Sequence, residues 1–122
     1  MDNKLKISTS VVTGITILKI EGEMDLYTIG DFHKAFDDMI DSGTTNLVID
    51  LLEVMYLDSS GLSALLSMHR KITSVNGCLS VVTSPDKKSI TRIFEITRLN
   101  TVLKMFNTVD DAVSYNTQAI KI

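Results

Sequence analysis

The chain has 122 residues, enough for one domain with a buried two-layer core. Its net charge of -3 and the absence of any basic run longer than Lys87-Lys88 argue against a nucleic-acid-binding surface. The single Cys78 excludes an internal disulfide, and no apolar stretch approaches the roughly 18 residues of a membrane span. Because Met1–Lys4 lacks the pattern of a signal peptide, we expect a cytoplasmic protein that binds neither nucleic acid nor membranes.

The first part of the chain predicts an antiparallel β-hairpin. Leu5–Ser10 and Thr16–Glu21 are rich in β-forming residues, and Thr13-Gly14 between them is a turn signal. We expect the second strand to stop at Gly22, which leaves Glu23–Tyr27 as a loop.

A helix is predicted after this loop. Thr28 is a suitable N-cap, with Asp31 three residues later in a capping-box relationship. Ser42-Gly43 ends the helix, since glycine accepts the left-handed conformation that follows a helix. Its apolar side is predicted to consist of Ile29, Phe32, Phe36, Met39 and Ile40.

The middle of the chain predicts a buried parallel strand that leads into a helix. Asn46–Leu51 is a continuous run of strand-forming residues. After Asp58-Ser59-Ser60-Gly61, apolar residues recur at spacings of three and four, which predicts a helix that stops near Asn76-Gly77. Ser59 thus falls at a helix start, where unpaired amides and the helix dipole favour an anion. The predicted buried side of this helix comprises Leu62, Leu65, Leu66, His69, Ile72 and Val75.

The last third predicts another strand–helix–strand–helix series. Leu79–Thr83 and Leu103–Phe106 are the strands. A helix is expected to begin at Ser84-Pro85-Asp86, and the last helix to follow a Thr108 cap and end near Asn116. The expected buried side chains of the first of these helices are Ile90, Ile93 and Phe94, and 117–122 is expected to be a loose tail.

This order of elements predicts an α/β fold in a single domain, residues 1–122. The expected sheet is mixed and mostly parallel, with an N-terminal β-hairpin, and is packed by about four helices.

The sequence predicts no catalytic site, metal site or cofactor. It has no glycine-rich phosphate loop, and one cysteine with two histidines cannot form a structural zinc site. His69 lies ten residues after Ser59 on the same helix, about 15 Å away at 1.5 Å per residue, too far to act as its general base. We interpret His33 and His69 as packed side chains, and the protein as a non-enzyme.

Two further interpretations stay open. Asp50, at the expected end of a parallel strand, could be the phosphoacceptor of a receiver-like domain, although an acidic pair is missing after the first strand and Lys104 lies within the last. Asp58 or Ser59 could simply cap the helix. Gly61 lowers helix propensity by about 1 kcal/mol relative to alanine, which favours a role as exposed backbone that another protein approaches closely.

Four segments resemble the STAS domain family (sulfate transporter and anti-sigma factor antagonist). They are GEMDLYT at Gly22–Thr28, NLVIDL at Asn46–Leu51, DSSGL at Asp58–Leu62 and the long stretch Ser89–Phe106. The resemblance spans nearly the whole chain, and its spacing and its strand–turn–helix context make it specific.

The resemblance implies an anti-sigma factor antagonist that works by partner switching. The unphosphorylated protein would bind an anti-sigma factor serine kinase and release that kinase's target, until phosphorylation of Ser59 switches binding off and a PP2C-type phosphatase reverses the change. Ser60 is the second choice of phosphorylation site, and Ser63 replaces a glycine common in the family. A scaffold STAS domain of a transporter or signalling assembly is the alternative. The implied partner-binding residues are Asp25, Asp58, Ser60, Gly61 and Leu62.

Overall fold

The computed structural model describes residues 5–119 and confirms the predicted fold class. Within this part of the chain, five strands form one mixed sheet, and four helices pack on it. A short 3-10 helix at Leu99–Thr101 was not predicted. The strands are β1 Lys6–Val12, β2 Ile15–Met24, β3 Asn46–Leu57, β4 Cys78–Val82 and β5 Lys104–Phe106. The helices are α1 Ile29–Asp41, α2 Ser59–Ser74, α3 Lys88–Ile96 and α4 Val109–Ala119.

The strands lie side by side in chain order, from β1 to β5. β1 and β2 are antiparallel and form the predicted hairpin, whose turn residues Thr13 and Gly14 both have positive φ, 50° and 83°. The other three pairings are parallel. Since parallel crossovers are right-handed, connections that step in one direction along the sheet place α1, α2 and α3 on the same face.

Each face of the sheet therefore has its own core. The larger core lies under α1, α2 and α3, and the smaller core lies under α4. The alternation along β2 predicts this two-sided burial, because Ile15 and Ile17 face α4 while Leu18 and Ile20 face the other three helices. The larger core includes Leu47, Ile49, Leu79, Val81, Phe32, Phe36, Leu65, Met68 and Phe94.

A buried polar cluster, the Asn46–Ser80–Asn116 cluster, joins α4 to the sheet. The Asn116 side-chain amide donates to Asn46 Oδ1 at 2.6 Å and to the Leu47 carbonyl at 3.1 Å. The Ser80 hydroxyl donates to Asn116 Oδ1. Because every member has a partner, the cluster fixes the position of α4 without leaving a buried polar atom unpaired.

Three strands are longer than predicted, and β1 gains only Val11 and Val12 next to the turn. β2 continues past Gly22 to Met24, and β3 continues past Leu51 to Leu57. The two extensions pair with each other across two irregularities in register, so that Met24 ends opposite Leu57. The sequence of each strand did not reveal this, because the hydrogen-bonding partner lies elsewhere in the chain.

Two helix boundaries also differ from prediction. α3 begins at Lys88 rather than at Ser84-Pro85, since Ser84–Lys87 forms a turn in which the Lys87 amide donates to the Ser84 carbonyl at 3.1 Å. α4 does not end near Asn116 but continues to Ala119, so residues 117–119 are helical and not a loose tail. The remainder of that predicted tail, 120–122, lies outside the described residues.

The apolar side of α2 is rotated from the prediction. Leu62, Leu65 and Ile72 are buried as expected, whereas Val75 is exposed. His69 is half-buried and His33 is exposed, so the interpretation of His33 as a packed side chain is wrong. Small and flexible residues of α2, Gly61, Ala64 and Met68, complete the buried side.

Candidate functional site

Asp58 holds the first turn of α2. It is the N-cap residue, with an extended backbone, and its Oδ1 accepts from the Ser60 amide at 2.9 Å and from the Gly61 amide at 3.4 Å. The expectation that these amides point freely at the serine is therefore wrong. A negative group added at Ser59 has to share the helix start with a carboxylate that already occupies it.

The two serines of this turn differ in accessibility. Ser59 is exposed, whereas Ser60 is half-buried. Ser59 also lies at a shallow surface cavity of about 250 Å³, here called the α2–α3 cavity. The lining residues are Ser59, Leu62, Ser63 and Leu66 from α2 and Thr97 and Leu99 from the segment after α3.

Gly61 has a packing role. It is buried, and a Cβ added to it would collide with Leu57 Cδ1 and lie 3.2 Å from Met24 Cβ. The prediction that Gly61 exposes its backbone to another protein is therefore wrong, because the glycine lets α2 start directly against the ends of β2 and β3. Leu62, only 6% exposed, packs into the larger core and offers little surface to a partner.

Asp25 shapes the loop before α1. Its Oδ1 accepts from the Tyr27 amide at 2.9 Å and from the Thr28 amide at 3.1 Å, and its carbonyl accepts from the Ile29 amide at 2.9 Å. The sequence analysis missed this structural role, although an aspartate side chain in a turn commonly accepts a hydrogen bond from the backbone amide two residues later.

Thr28 is the N-cap residue of α1, but the capping box predicted with Asp31 is wrong. Its side chain makes no capping hydrogen bond to the helix. Instead, the buried hydroxyl donates to the Glu23 carbonyl at 2.6 Å and accepts from the Asp25 amide at 3.0 Å. Thr28 therefore ties the loop to the end of β2.

The paired strand ends bring the Asp25 loop and the start of α2 to one edge of the sheet. Met24 lies opposite Leu57, and the Asp58 amide donates to the Met24 carbonyl at 3.3 Å. Asp25 and Asp58 thus follow neighbouring strand ends.

Large apolar side chains are exposed at this same edge. Leu26 is 71% exposed and Tyr27 is 85% exposed in the loop beside Asp25, while Met55 and Tyr56 are exposed near the end of β3. Aromatic and apolar side chains left in solvent together are typical of protein-interaction surfaces. We call this region the strand-end surface, and its members are Asp25, Leu26, Tyr27, Met55, Tyr56, Asp58 and Ser59.

The receiver-like interpretation of Asp50 is wrong. Asp50 lies in the middle of β3 and not at its end, with Lys19 and Val82 opposite it on the neighbouring strands. Its Oδ1 accepts from the Leu52 amide at 2.9 Å, and the residue is 6% exposed. An in-line phosphoryl donor cannot reach a carboxylate in that position.

The described part of the chain gives little support for a metal site, a reactive thiol or a membrane-spanning helix. Residues 5–119 contain no group of three or more His, Cys, Asp or Glu side chains placed to hold a metal ion. Burial raises the pKa of the Cys78 thiol, and the positive charge of Lys104 offsets only part of this rise. The thiol is therefore protonated at neutral pH. No helix of this region is both long enough and apolar enough to cross a bilayer.

The family model described as "STAS domain" matches residues 6–112. The chain belongs to the STAS domain family. The resemblance of GEMDLYT, NLVIDL and DSSGL to that family is thereby confirmed, and the STAS match covers both loops that form the strand-end surface.

Known proteins similar to this STAS domain include regulators of bacterial sigma factors. The anti-sigma-B factor antagonist of Staphylococcus aureus is 28% identical over 99 residues, which cover 81% of this chain and 90% of that protein. The crystal structure of an anti-sigma factor antagonist from Mycobacterium paratuberculosis has a TM-score of 0.87 at 24% identity, covering 96% of this chain and 97% of the other. The anti-sigma factor antagonist SpoIIAA in its unphosphorylated form has a TM-score of 0.69 at 18% identity, covering 94% of this chain and 100% of the other. At these identities, the two structures establish the shared fold.

Proposed function

We propose that this STAS domain is an anti-sigma factor antagonist that acts by partner switching. Its unphosphorylated form binds a cytoplasmic serine kinase that is also an anti-sigma factor, and so releases that kinase's target. The observation that carries the proposal is an exposed Ser59 on a turn whose other members are fixed in place by Asp58 and Gly61. The similarity to the Staphylococcus aureus antagonist along 90% of that protein supports it.

Ser59 is the proposed phosphorylation site, in preference to Ser60. A kinase must place the hydroxyl in line with the γ-phosphate, which requires an accessible side chain. Ser59 is exposed, whereas Ser60 is half-buried and its amide is bound to Asp58. Ser60 contributes to the proposed partner contact together with Asp25 and Asp58.

The proposed reaction is carried out by two partner enzymes. The Ser59 Oγ forms a bond to the γ-phosphorus of ATP, the bond to the ADP oxygen breaks, and the hydroxyl proton passes to a base of the kinase. A PP2C-type phosphatase later hydrolyses the phosphoserine and returns inorganic phosphate. The STAS domain is the substrate in both steps and has no catalytic activity of its own.

Phosphorylation is expected to weaken binding without altering the fold. A phosphate adds about −1.5 to −2 charge at pH 7 to a surface that already carries Asp25 and Asp58 among exposed apolar side chains. A partner that fits the neutral hydroxyl would have to bury an unmatched anion, which is costly. The turn beneath is held by backbone bonds and by the packing of Gly61, so it tolerates the change.

The test is a comparison of two forms of the full chain, unmodified and carrying phosphoserine at position 59. Each is used to capture partners from a lysate of the source cell, the captured serine kinase is identified by mass spectrometry, and its affinity for both forms is then measured. We expect at least a tenfold weaker affinity for the phosphorylated form, about 1.4 kcal/mol. Equal affinity for both forms would indicate a scaffold STAS domain instead.

A second arm tests the absence of catalysis. Incubation of the pure chain with ATP and Mg²⁺ is expected to leave its mass unchanged, and addition of the captured kinase is expected to add one phosphate. Stoichiometric phosphorylation without the kinase would contradict the proposal.

A further inference from the structure

Arg98 lies in the segment between α3 and the 3-10 helix, next to the α2–α3 cavity but not among the residues that line it. The residues on either side of it, Thr97 and Leu99, both line the cavity that Ser59 also lines. Arg98 itself is exposed and adopts a left-handed conformation, with φ 60° and ψ 18°. A non-glycine residue in this conformation marks a sharp change of chain direction, here between α3 and the following 3-10 helix.

The backbone of Arg98 is fixed while its guanidinium is uncommitted. Its amide donates to the Glu95 carbonyl at 3.1 Å, and its carbonyl accepts from the Thr101 hydroxyl at 2.7 Å. The ion pairs found among residues 5–119 are Lys6–Glu21 and Lys71–Asp37, and neither involves Arg98.

Two other possible sources of positive charge for a phosphate on Ser59, the amides at the start of α2 and Lys87, are already engaged. Asp58 already accepts the Ser60 and Gly61 amides, so the helix start supplies less compensation than an uncapped helix would. Lys87, which precedes α3, donates its Nζ to the Leu52 carbonyl at 2.6 Å and is therefore engaged elsewhere. An arginine is well suited to bind the phosphate, since its planar guanidinium binds two phosphate oxygens at once.

We propose that Arg98 binds the phosphate of phosphorylated Ser59 within the same chain. This inference rests on the proposed modification of Ser59 and adds its internal acceptor. To reach the phosphate, the side chain of Arg98, which does not line the α2–α3 cavity in the unmodified chain, has to turn across it, and it then covers the apolar wall formed by Leu62, Leu66 and Leu99. The modification thereby fills a recess beside Ser59, in addition to adding charge.

The experiment needs no kinase. Phosphoserine is incorporated at position 59 of the full chain by genetic encoding, and the phosphate is titrated by ³¹P NMR. An opposite charge within a few ångströms favours the dianion, so we expect the second pKa to lie at least about 0.5 units lower in this protein than in Arg98→Asn. Asparagine removes the guanidinium and still tolerates the left-handed backbone.

The matched control is Arg92→Gln. Arg92 is an exposed arginine of α3 that lines a different cavity with Pro85 and Lys88. Its replacement by glutamine changes the net charge by the same amount as Arg98→Asn does. The phosphate pKa of this variant should equal that of the parent. The difference caused by Arg98→Asn should also shrink in 1 M salt, where the Debye length falls to about 3 Å.

Equal phosphate pKa values in the parent and in Arg98→Asn would overturn the inference. Arg98→Gly, which suits the same backbone, serves as the second variant if the amide spectrum of Arg98→Asn shows unfolding. The outcome is separable from the proposed function, because kinase recognition of Ser59 is measured on the unmodified chain and the ion pair on the phosphorylated one.

Discussion

Ser80 and Ser59 lie in contrasting surroundings, one buried in a polar cluster and the other exposed at a helix start. Ser80 lies in the Asn46–Ser80–Asn116 cluster, is 0% exposed and uses its hydroxyl to bind Asn116. Ser59 lies at the start of α2, is exposed and has its immediate neighbours held by other groups. A buried hydroxyl is committed to one partner, because leaving it unpaired costs about 1–3 kcal/mol.

The two regions are held in place by different groups. In the Asn46–Ser80–Asn116 cluster the polar side chains themselves hold α4 on the sheet. At the start of α2, Asp58 and Gly61 hold the turn in place, and the Ser59 side chain stays exposed. Substitutions in the first region should therefore change the free energy of unfolding, and substitution of Ser59 should change partner binding.

Asn116→Leu should give the largest loss of stability. It removes the hydrogen bonds to Asn46, Leu47 and Ser80 and leaves buried polar groups unpaired, so we expect a loss of about 3 kcal/mol in urea unfolding. The control Gln118→Ala, on the exposed side of α4, should change stability by no more than about 0.5 kcal/mol. A loss for Asn116→Leu as small as the control's would mean that the cluster does not hold α4.

Gly61→Ala is expected to destabilise the fold by about 1 kcal/mol. The added methyl group collides with Leu57 and lies close to Met24, and the cost of this clash exceeds the gain in helix propensity from alanine. Gly30→Ala is the matched control. Gly30 is an exposed helical glycine of α1, and a Cβ there meets nothing within 4 Å, so this variant should be more stable by about 0.4–1 kcal/mol. Thermal unfolding of both variants tests the opposite signs, and a stabilising Gly61→Ala would show that α2 has room to shift.

Asp25→Ala should destabilise by about 1 kcal/mol, since the Tyr27 and Thr28 amides lose their acceptor. Asp25→Asn keeps an oxygen at that position and should stay within about 0.5 kcal/mol of the parent. In a binding assay with the captured kinase, Asp25→Asn should nevertheless weaken affinity through loss of charge. Unchanged affinity would show that Asp25 has a structural role only.

Ser59→Ala should have the smallest effect on stability, within about 0.5 kcal/mol, because the side chain is exposed. It should abolish phosphorylation by the kinase while binding is retained, and Ser59→Asp should weaken binding. Ser60→Ala, the matched control in the same turn, should still be phosphorylated. Intact-mass measurement of each variant shows whether a phosphate is added. Normal phosphorylation of Ser59→Ala, with the phosphate mapped to Ser60, would contradict the proposed site.

Several predictions that rest on local signals were confirmed, although the capping box of Thr28 with Asp31 and the helix start at Ser84-Pro85 were not. The apolar period of α1, the turn at Thr13-Gly14 and the Thr108 cap each depend on residues a few positions apart, and the structure confirms them. The strand lengths were wrong because the deciding neighbour is distant in the chain. β2 and β3 extend because each pairs with the other, and no pattern within either strand encodes that partner.

The candidate site shows the same division. The Asp-Ser-Ser-Gly-Leu motif and its context fixed the family and the position of Ser59 at a helix start, since strand, turn and helix are all readable from consecutive residues. Tertiary structure alone decided that Gly61 packs against Met24 and that Asp25 lies beside Asp58. It also brought Thr97 and Leu99 to the cavity of Ser59. These relations depend on which strand ends and helices meet in space, and local hydrogen-bonding and hydrophobic periodicity do not specify that.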